Sequence, residues 1–303
     1  MNTKVGLVSL GCAKNLVDSE NLLGMLAQRG MEIVADPAEA DVIFVNTCGF
    51  IESAKEESIE TIFEMAQYKH GGKLKKLFVT GCLAQRYPDA LLSEIPEIDG
   101  IMGVADYARL DSMLADADKK LRPCYIADGP RFLHTPRILT SAGYSAYVKI
   151  SDGCDNKCTY CAIPLIRGAY ASRPFDDIVD ECRRLAADGV TEITLIAQDT
   201  SRYGCDFGDG HYQLPELLEA ILELFPLDTY AKPVYLMAKV PGDPVPVPIW
   251  DTYREIIKPH TNEDVEIIER FAFYERAKKA YAVLATGETA IYANIILKKG
   301  VVQ

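Results

Sequence analysis

The stretch KVGLVSLGCAKNLVDSENLLGMLAQRG, residues 4–30, begins as an apolar, β-branched run and continues with apolar residues at helical spacing. A short apolar run predicts a buried strand, and a period near 3.6 residues predicts an amphipathic helix. Gly30 follows the last helical turn, where glycine adopts a left-handed backbone without steric cost. The stretch therefore predicts one strand–helix unit.

Three further apolar runs alternate with helical patterns up to about residue 120. The predicted strands are ADVIFVN (40–46), KKLFVT (75–80) and GIMGV (100–104), and the predicted helices are ESAKEESIETIFEMAQYK (52–69) and YARLDSMLADADK (107–119). This alternation is typical of a parallel sheet flanked by helices. We predict an N-terminal α/β domain over residues 1–120 and a proline-containing linker over 121–140.

A second strand–helix series begins near residue 145. It consists of the strand AYVKIS (146–151), the helix DDIVDECRRLAADG (176–189), the strand EITLIAQ (192–198) and the helix LPELLEAILELF (214–225). Strands and helices in this order open a parallel α/β barrel. Because only two or three barrel strands are visible, we predict an incomplete barrel over residues 141–227.

The last part of the chain, residues 228–303, has a different character and several prolines. It contains predicted strands in KPVYLMAKV (232–240), DVEIIER (264–270) and YANIILKKG (292–300), and predicted helices in DTYREIIK (251–258) and FYERAKKAYAVLATG (273–287). We predict a separate, partial α/β segment here.

Composition narrows the classes of function. The formal net charge of −12 argues against broad nucleic-acid binding, which needs clustered Lys and Arg, and suits a basic protein partner better. No basic stretch leads into a cleavable apolar segment, and no run of about 18 apolar residues occurs. We expect a cytoplasmic protein that does not bind membranes.

Three cysteines with the spacing Cys154-x3-Cys158-x2-Cys161 follow the strand AYVKIS. Thiolates at this spacing can hold three irons of a [4Fe–4S] cluster and leave the fourth iron open to another molecule. A structural zinc site needs four ligands, and the alternative is a zinc loop that borrows a distant one. Disulfide bonds between these cysteines are a weaker alternative, because thiols in the expected cytoplasmic compartment are kept reduced.

A second cysteine triplet is formed by residues that each follow a predicted strand: Cys12, Cys48 and Cys82. Because the carboxyl ends of parallel strands share one edge of a sheet, we expect these thiols to converge and to hold a second cluster. The alternative is three isolated buried thiols, since cysteine is often fully buried. The other cysteines, Cys124, Cys182 and Cys205, are interpreted as ordinary thiols.

The loop with Cys154, Cys158 and Cys161 resembles that of the radical S-adenosylmethionine (SAM) superfamily. The resemblance implies that the open iron binds the amino and carboxylate groups of SAM, which is cleaved to a 5′-deoxyadenosyl radical that removes hydrogen from an unactivated carbon. It also implies that Tyr160 packs near the adenine, although a plain core aromatic is an equal alternative.

Several longer stretches resemble the RimO branch of the methylthiotransferases, from about residue 4 to 218. They are SLGCAKNLVDSE, NTCGFIESAKEESI, VTGCLAQRYP, ISDGCDNKCTYCAIPLIRGAYASRP and LIAQDTSRYG. Members of this branch add a methylthio group to the β-carbon of an aspartate in a small-subunit ribosomal protein. The resemblance implies two [4Fe–4S] clusters: one held by Cys12, Cys48 and Cys82 that presents the sulfur, and one held by Cys154, Cys158 and Cys161.

The same resemblance implies further partners. SAM is the cofactor, and an electron donor such as flavodoxin or ferredoxin is the reductant. Gln198 and Asp199 end a barrel strand, where polar groups meet ligands, so they are candidate SAM-binding residues; loop hydrogen bonding or helix capping is the alternative. No catalytic residue is assigned beyond the cluster ligands.

From about residue 214 the chain instead resembles the C-terminal half of L-fucose mutarotases of the RbsD/FucU family, through LPELLEAILELFPLDTY, VPGDPVPVPIWDTYREIIK and the residues from Ile268 onward. This resemblance implies sugar contacts by Tyr292 and Asn294. His211 and His260 are interpreted as solvated loop histidines. The change of family near residues 211–232 predicts a join, so a chain that binds clusters without turnover and a carbohydrate-binding module are alternative functions.

Overall fold

The computed structural model describes residues 2–104, 106–127, 132, 137–141, 143–208, 210–224, 235–237 and 294–298. Its contacts divide the chain into two units. Unit 1 comprises Met1–Thr140 and Asp152–Ala171, and unit 2 comprises Ser141–Ser151 and Ser172–Gln303. Both cysteine triplets therefore belong to unit 1.

Unit 1 is built on a six-stranded parallel sheet. Its strands are β1 (Lys4–Ser9), β2 (Glu32–Ile33), β3 (Val42–Thr47), β4 (Lys76–Gly81), β5 (Gly100–Met102) and β6 (Cys124–Tyr125), in the order β2-β1-β3-β4-β5-β6. The three strands that precede the first cysteine triplet, β1, β3 and β4, are direct neighbours. The predicted α/β class with parallel strands is confirmed.

Helices cover both faces of this sheet. They are α1 (Ala13–Gln28), α2 (Glu52–Gly71), α3 (Cys82–Arg86), α4 (Pro88–Glu94), α5 (Leu110–Asp118) and α6 (Ile163–Arg167). Alternate residues of a strand point to opposite faces. Phe44 and Phe78 stack at 5.0 Å between ring centroids and pack with α1 and α5, whereas Ile43 and Leu77 pack with α2 and α4. The interior strands β3, β4 and β5 are buried on both faces, as expected of parallel sheets.

Two local features differ from the sequence pattern. Gly30 follows α1 with a φ of +74°, as expected, but α1 begins at Ala13, directly after Cys12 and three residues before the predicted helix LVDSENLLGMLAQRG (16–30). β6 lies within the range predicted to be a linker, and its neighbour Pro123 accepts a hydrogen bond from the Ile101 backbone N–H at 2.8 Å. β6 has only two residues, Cys124 and Tyr125, and a run this short shows no detectable periodicity in the sequence. The domain boundaries themselves stay a prediction.

Unit 2 contains a four-stranded sheet. Its strands are β7 (Ser145–Lys149), β10 (Glu192–Ile196), β11 (Tyr235–Met237) and β12 (Asn294–Lys298), in the order β11-β12-β10-β7. β7 and β10 are parallel, whereas β12 runs antiparallel to both β10 and β11. The helices of unit 2 are α7 (Phe175–Ala187) and α8 (Leu214–Leu224). Apart from the two larger sheets, β8 (Ser151–Asp152) pairs with β9 (Ala171–Ser172).

β11 and β12 fall within two of the strands predicted for the C-terminal segment. The predicted helices at 251–258 and 273–287 and the predicted strand at 264–270 lie outside the described residues. Among the helices that are described, none has the length and apolar character needed to cross a membrane.

Candidate functional site

The first cysteine triplet lies at the carboxyl edge of the unit 1 sheet. Cys12 directly precedes α1, Cys48 follows β3, and Cys82 is the first residue of α3 after β4. A Cβ atom built on Gly11 would lie 2.9 Å from Cβ of Cys48 and 3.2 Å from its Sγ, so the Gly11–Cys12 turn passes close to Cys48. The fold thus brings these three cysteines to neighbouring strand ends.

A glycine before Cys82 makes this turn possible. Gly81 has a φ of +92°, and a Cβ atom there would lie 2.2 Å from Oδ1 of Asn46 and 2.5 Å from the Thr47 carbonyl oxygen. Such contacts exclude any side chain, because real Cβ atoms do not approach other atoms so closely. The glycine therefore lets β4 end tightly against β3 and places Cys82 at the sheet edge.

The three thiols differ in exposure. Cys12 is exposed, Cys48 is partly buried and Cys82 is buried, with 6% of its surface exposed. Burial raises the pKa of the Cys82 thiol to about 11; the positive charge of Arg167 opposes this shift, and Cys12 and Cys48 add to it. Sγ of Cys82 donates to Oδ1 of Asn15 at 3.5 Å. The Cys82 thiol is therefore buried and has a cation beside it.

That cation, Arg167, was not predicted from the sequence. It is the last residue of α6, is 2% exposed, and donates from Nη1 to Asp152 at 2.9 Å and from Nη2 to Asp18 at 3.0 Å. Nη2 also lies 2.8 Å from Oδ1 of Asn15 and 3.9 Å from Sγ of Cys82. Burial alone would lower the pKa of the guanidinium, but Asp152 and Asp18 raise it well above its ordinary value.

Polar residues on the buried face of α1 complete this edge. Asn15 donates from Nδ2 to the carbonyl oxygens of Leu10 and Thr47, both at 3.0 Å. Asn46 donates to the Asn15 carbonyl at 2.9 Å and to Ser19 at 2.8 Å. The signal in the sequence is that Asn15, Asp18 and Ser19 stand at core-facing helical positions, where polar residues need partners.

The second cysteine triplet lies on the loop between β8 and α6. Cys154, Cys158 and Cys161 are all partly buried. The backbone N–H of Cys154 donates to Gly168 at 3.1 Å, and that of Cys161 donates to Cys158 at 3.0 Å, so the loop folds back on the end of α6. Tyr160 is 61% exposed, which is not the environment of a core aromatic.

The donor chemistry of both triplets suits an iron–sulfur cluster. Each offers three thiols, which are the ligands that Fe–S clusters take. Within the described residues, no three Cys, His, Asp or Glu side chains are grouped so as to hold one metal ion. In a cluster each thiolate binds a different iron, so its ligands do not converge on a single ion.

Unit 2 has two buried polar side chains at the carboxyl edge of its parallel strands. Gln198 is 8% exposed and Ser151 is fully buried, and within the described residues neither amide atom of Gln198 nor Oγ of Ser151 has a hydrogen-bond partner. The register pairs Ile196 with Lys149, so Ser151 and Gln198 follow neighbouring strands at the same edge. Unpaired buried polar groups are costly and indicate a ligand that would satisfy them.

The remaining candidate residues do not join these sets. Asp199 accepts a hydrogen bond from Ser201 at 2.7 Å, in keeping with the loop hydrogen-bonding alternative. His211 is exposed and lies 3.2 Å from Glu216. Tyr292 and His260 lie outside the described residues, and Asn294 begins β12. Of the cysteines interpreted as ordinary thiols, Cys124 is exposed, Cys182 is fully buried and Cys205 is partly buried.

Comparisons with known proteins match two different families. A protein of Desulforamulus reducens described as "Ribosomal protein uS12 methylthiotransferase RimO" is 54% identical over 224 residues, which cover 72% of this chain and 49% of that protein. The RimO protein of Clostridioides difficile is 48% identical over 229 residues, or 73% of this chain and 50% of that protein. Most of the chain is similar to RimO. It spans about half the length of the RimO proteins it matches.

Two family profiles divide the chain in the same way. Residues 4–103 match the family described as "Uncharacterized protein family UPF0004", and residues 194–302 match the "RbsD / FucU transport protein family". Both resemblances seen in the sequence, to RimO and to RbsD/FucU, are confirmed. The second match begins within β10, about 20 residues before the predicted start near residue 214, so it includes the end of β10 from Thr194 and all of β12.

A solved structure supports the fold. The radical S-adenosylmethionine methyltransferase TsrM from Kitasatospora setae, solved with cobalamin and a [4Fe–4S] cluster bound, is 17% identical, with a TM-score of 0.50 over 74% of this chain and 53% of TsrM. At this identity the likeness concerns the α/β fold alone.

Proposed function

We propose that this chain is a RimO-like radical SAM methylthiotransferase that adds a methylthio group to the β-carbon of an aspartate in ribosomal protein uS12. The observation that carries the proposal is the position of Cys12, Cys48 and Cys82 at the ends of three neighbouring parallel strands. Three unrelated thiols would have no reason to follow three neighbouring strands at one edge of the sheet. The similarity to RimO over 72% of the chain agrees with it.

In this proposal each cysteine triplet binds one [4Fe–4S] cluster. Cys12, Cys48 and Cys82 hold the auxiliary cluster, and Cys154, Cys158 and Cys161 hold the cluster that leaves one iron open to SAM. When bound, the second cluster would pass one electron from the reductant to SAM, whose cleavage would give methionine and the 5′-deoxyadenosyl radical, and the auxiliary cluster would present the sulfur. Gln198 and Asp199 are proposed SAM-binding residues, and the exposed ring of Tyr160 is available to pack on the adenine.

The surroundings of the reaction follow from the same chemistry. Reduced thiols and a low-potential electron are needed, so we place the protein in the cytoplasm with flavodoxin or ferredoxin as the reductant. A net charge of −12 favours a basic protein substrate.

Iron stoichiometry tests the cluster assignment. Anaerobic reconstitution of the full chain should give about eight irons, because two four-iron clusters are bound. Replacing Cys154, Cys158 and Cys161 together by Ala should leave about four irons, and so should replacing Cys12, Cys48 and Cys82. A Cys182→Ala variant is the matched control and should keep the full content. A chain that binds zinc, or that loads no iron, would contradict the proposal.

Turnover is tested separately from cluster binding. Under reductant, the loaded chain should cleave SAM to 5′-deoxyadenosine, and addition of uS12 should yield the methylthiolated aspartate, detected by mass spectrometry. Loaded clusters without SAM cleavage would instead support the alternative, a chain that binds clusters without turnover.

A second candidate function is a carbohydrate-binding or fucose mutarotase-like module. It is favoured by the match of residues 194–302 to the RbsD/FucU family, and its proposed sugar contacts are Tyr292 and Asn294. Saturation-transfer NMR on fucose and ribose anomers tests it. Accelerated anomer exchange that is lost in Asn294→Ala would support this function, and an uncatalysed rate would contradict it.

A further inference from the structure

Arg167 makes more contacts than anchoring α6 requires. Its guanidinium reaches two carboxylates, Asp152 and Asp18, one amide, Asn15, and the sulfur of Cys82. A fully buried ion pair gains little net stability, because the desolvation of the charges offsets their attraction. A role in stability alone therefore does not account for an arginine at this position.

We propose that Arg167 is a positioning residue that connects the two cysteine triplets and tunes the auxiliary cluster through the Cys82 sulfur. The inference rests on the proposed function. Arg167 links the loop that carries Cys154, Cys158 and Cys161 to the sheet edge that carries Cys82, and both lie in unit 1.

The first part of the argument is geometric. Arg167 ends α6, Gly168 follows with a φ of +75°, and the Gly168 carbonyl accepts the hydrogen bond from Cys154. Asp152 lies two residues before Cys154 and binds Nη1. The guanidinium thus closes the loop at both ends, while Nη2 reaches α1 through Asp18 and Asn15. A planar fork with several fixed N–H groups can do this, and a lysine ammonium cannot reproduce it.

The second part is electrostatic. Nη2 lies 3.9 Å from Sγ of Cys82 in a buried environment, where a positive charge acts strongly on a neighbouring thiolate. Reduction adds negative charge to a cluster, so a cationic donor at a ligand sulfur stabilises the reduced state and raises the midpoint potential. Asp18 is paired with the same guanidinium and acts in the opposite direction.

Redox titration of the auxiliary cluster alone tests the proposal. In the full chain with Cys154, Cys158 and Cys161 replaced by Ala, the remaining cluster is followed by EPR. Arg167→Gln should shift its midpoint potential downward, and Arg167→Lys should shift it less in the same direction. Asp18→Asn should shift it upward. This opposite pair of signs is not expected of a residue that only supports folding.

The matched control is Arg173→Gln in unit 2. Arg173 is also a buried arginine, 8% exposed and paired with Glu181, but it belongs to unit 2, whereas both cysteine triplets belong to unit 1. It should lose stability and leave the potential unchanged. If Arg167→Gln does not fold, the other two variants test the proposal: the midpoint potential should fall in Arg167→Lys and rise in Asp18→Asn.

The outcomes separate this inference from the proposed function. If the parent chain loads no cluster on Cys12, Cys48 and Cys82, both fail. If the cluster loads and none of the Arg167 or Asp18 variants moves its potential, only the role of Arg167 is overturned.

Discussion

At the scale of single residues, each cysteine of the first triplet depends on the backbone beside it. Gly11 and Gly81 both have a φ of +92° and directly precede Cys12 and Cys82. Ser58 accepts a hydrogen bond from the Cys48 backbone N–H at 3.0 Å and thereby fixes the third turn. The thiol positions are therefore set by residues that carry no cluster chemistry themselves.

Gly81→Ala should lower the free energy of unfolding by about 3 kcal/mol or more, because strained backbone and a steric clash add up. The new Cβ would meet Asn46 and the Thr47 carbonyl, and the displacement of Cys82 should also lower the iron content. Urea denaturation of the apo chain measures the first effect, and iron analysis measures the second.

Gly30→Ala is the control for this substitution. Gly30 also has a positive φ of +74°, but nothing lies within 4 Å of a Cβ atom there. It should cost only about 1 kcal/mol from backbone strain and leave the iron content unchanged. Equal losses for Gly30→Ala and Gly81→Ala would contradict the crowding described at the sheet edge.

At the scale of elements, the antiparallel pair β10–β12 joins β10, where the RimO and RbsD/FucU resemblances overlap, to β12, near the end of the RbsD/FucU match. The register pairs Thr194 with Ile296 and Leu195 with Ile295. β12 also pairs with β11, so it is an interior strand whose backbone groups are used on both sides. The edge of β10 opposite β7, which a barrel broken off after its second strand would leave open, is therefore covered.

Ile296→Pro should accelerate amide exchange in β10 over Ile193–Leu195, because proline removes a ladder donor and is not tolerated in interior strands. Hydrogen exchange with mass spectrometry on the full chain measures this. Ile296→Val keeps the backbone N–H and is the matched control. Unchanged protection of β10 in the proline variant would show that the pair does not form in solution.

At the scale of the whole molecule, all six proposed cluster ligands belong to unit 1, although they are spread from Cys12 to Cys161. Ligands from distant parts of a chain couple binding to folding, because the unfolded chain does not hold them together. Unit 1 also includes residues 152–171, although the segments on either side of them in the sequence belong to unit 2.

Cluster loading should therefore raise the melting temperature of unit 1, and removal of iron by a chelator should reverse the increase. Differential scanning calorimetry before and after anaerobic reconstitution measures the change. A variant with Ser at all six cysteines should melt at the same temperature with and without iron. A loaded parent chain that melts like the apo chain would contradict the placement of the ligands within one folded unit.

Much of this architecture is determined by local sequence patterns. The apolar runs that precede Cys12, Cys48 and Cys82 predict parallel strands, and such strands bring their carboxyl ends to one edge, so the position of these cysteines at neighbouring strand ends follows from periodicity alone. The spacing of Cys154, Cys158 and Cys161 likewise predicts a cluster loop without any knowledge of the fold.

Only the tertiary structure places Arg167 beside Cys82, 85 residues away in sequence, and β12 beside β10. It also turns two residues, Cys124 and Tyr125, into a strand. These contacts join segments that are far apart in the chain, so no local periodicity predicts them. An arginine at the end of a short helix is compatible with exposure as well as burial. The partners of Arg167 are therefore set by the tertiary fold and not by its neighbours in sequence.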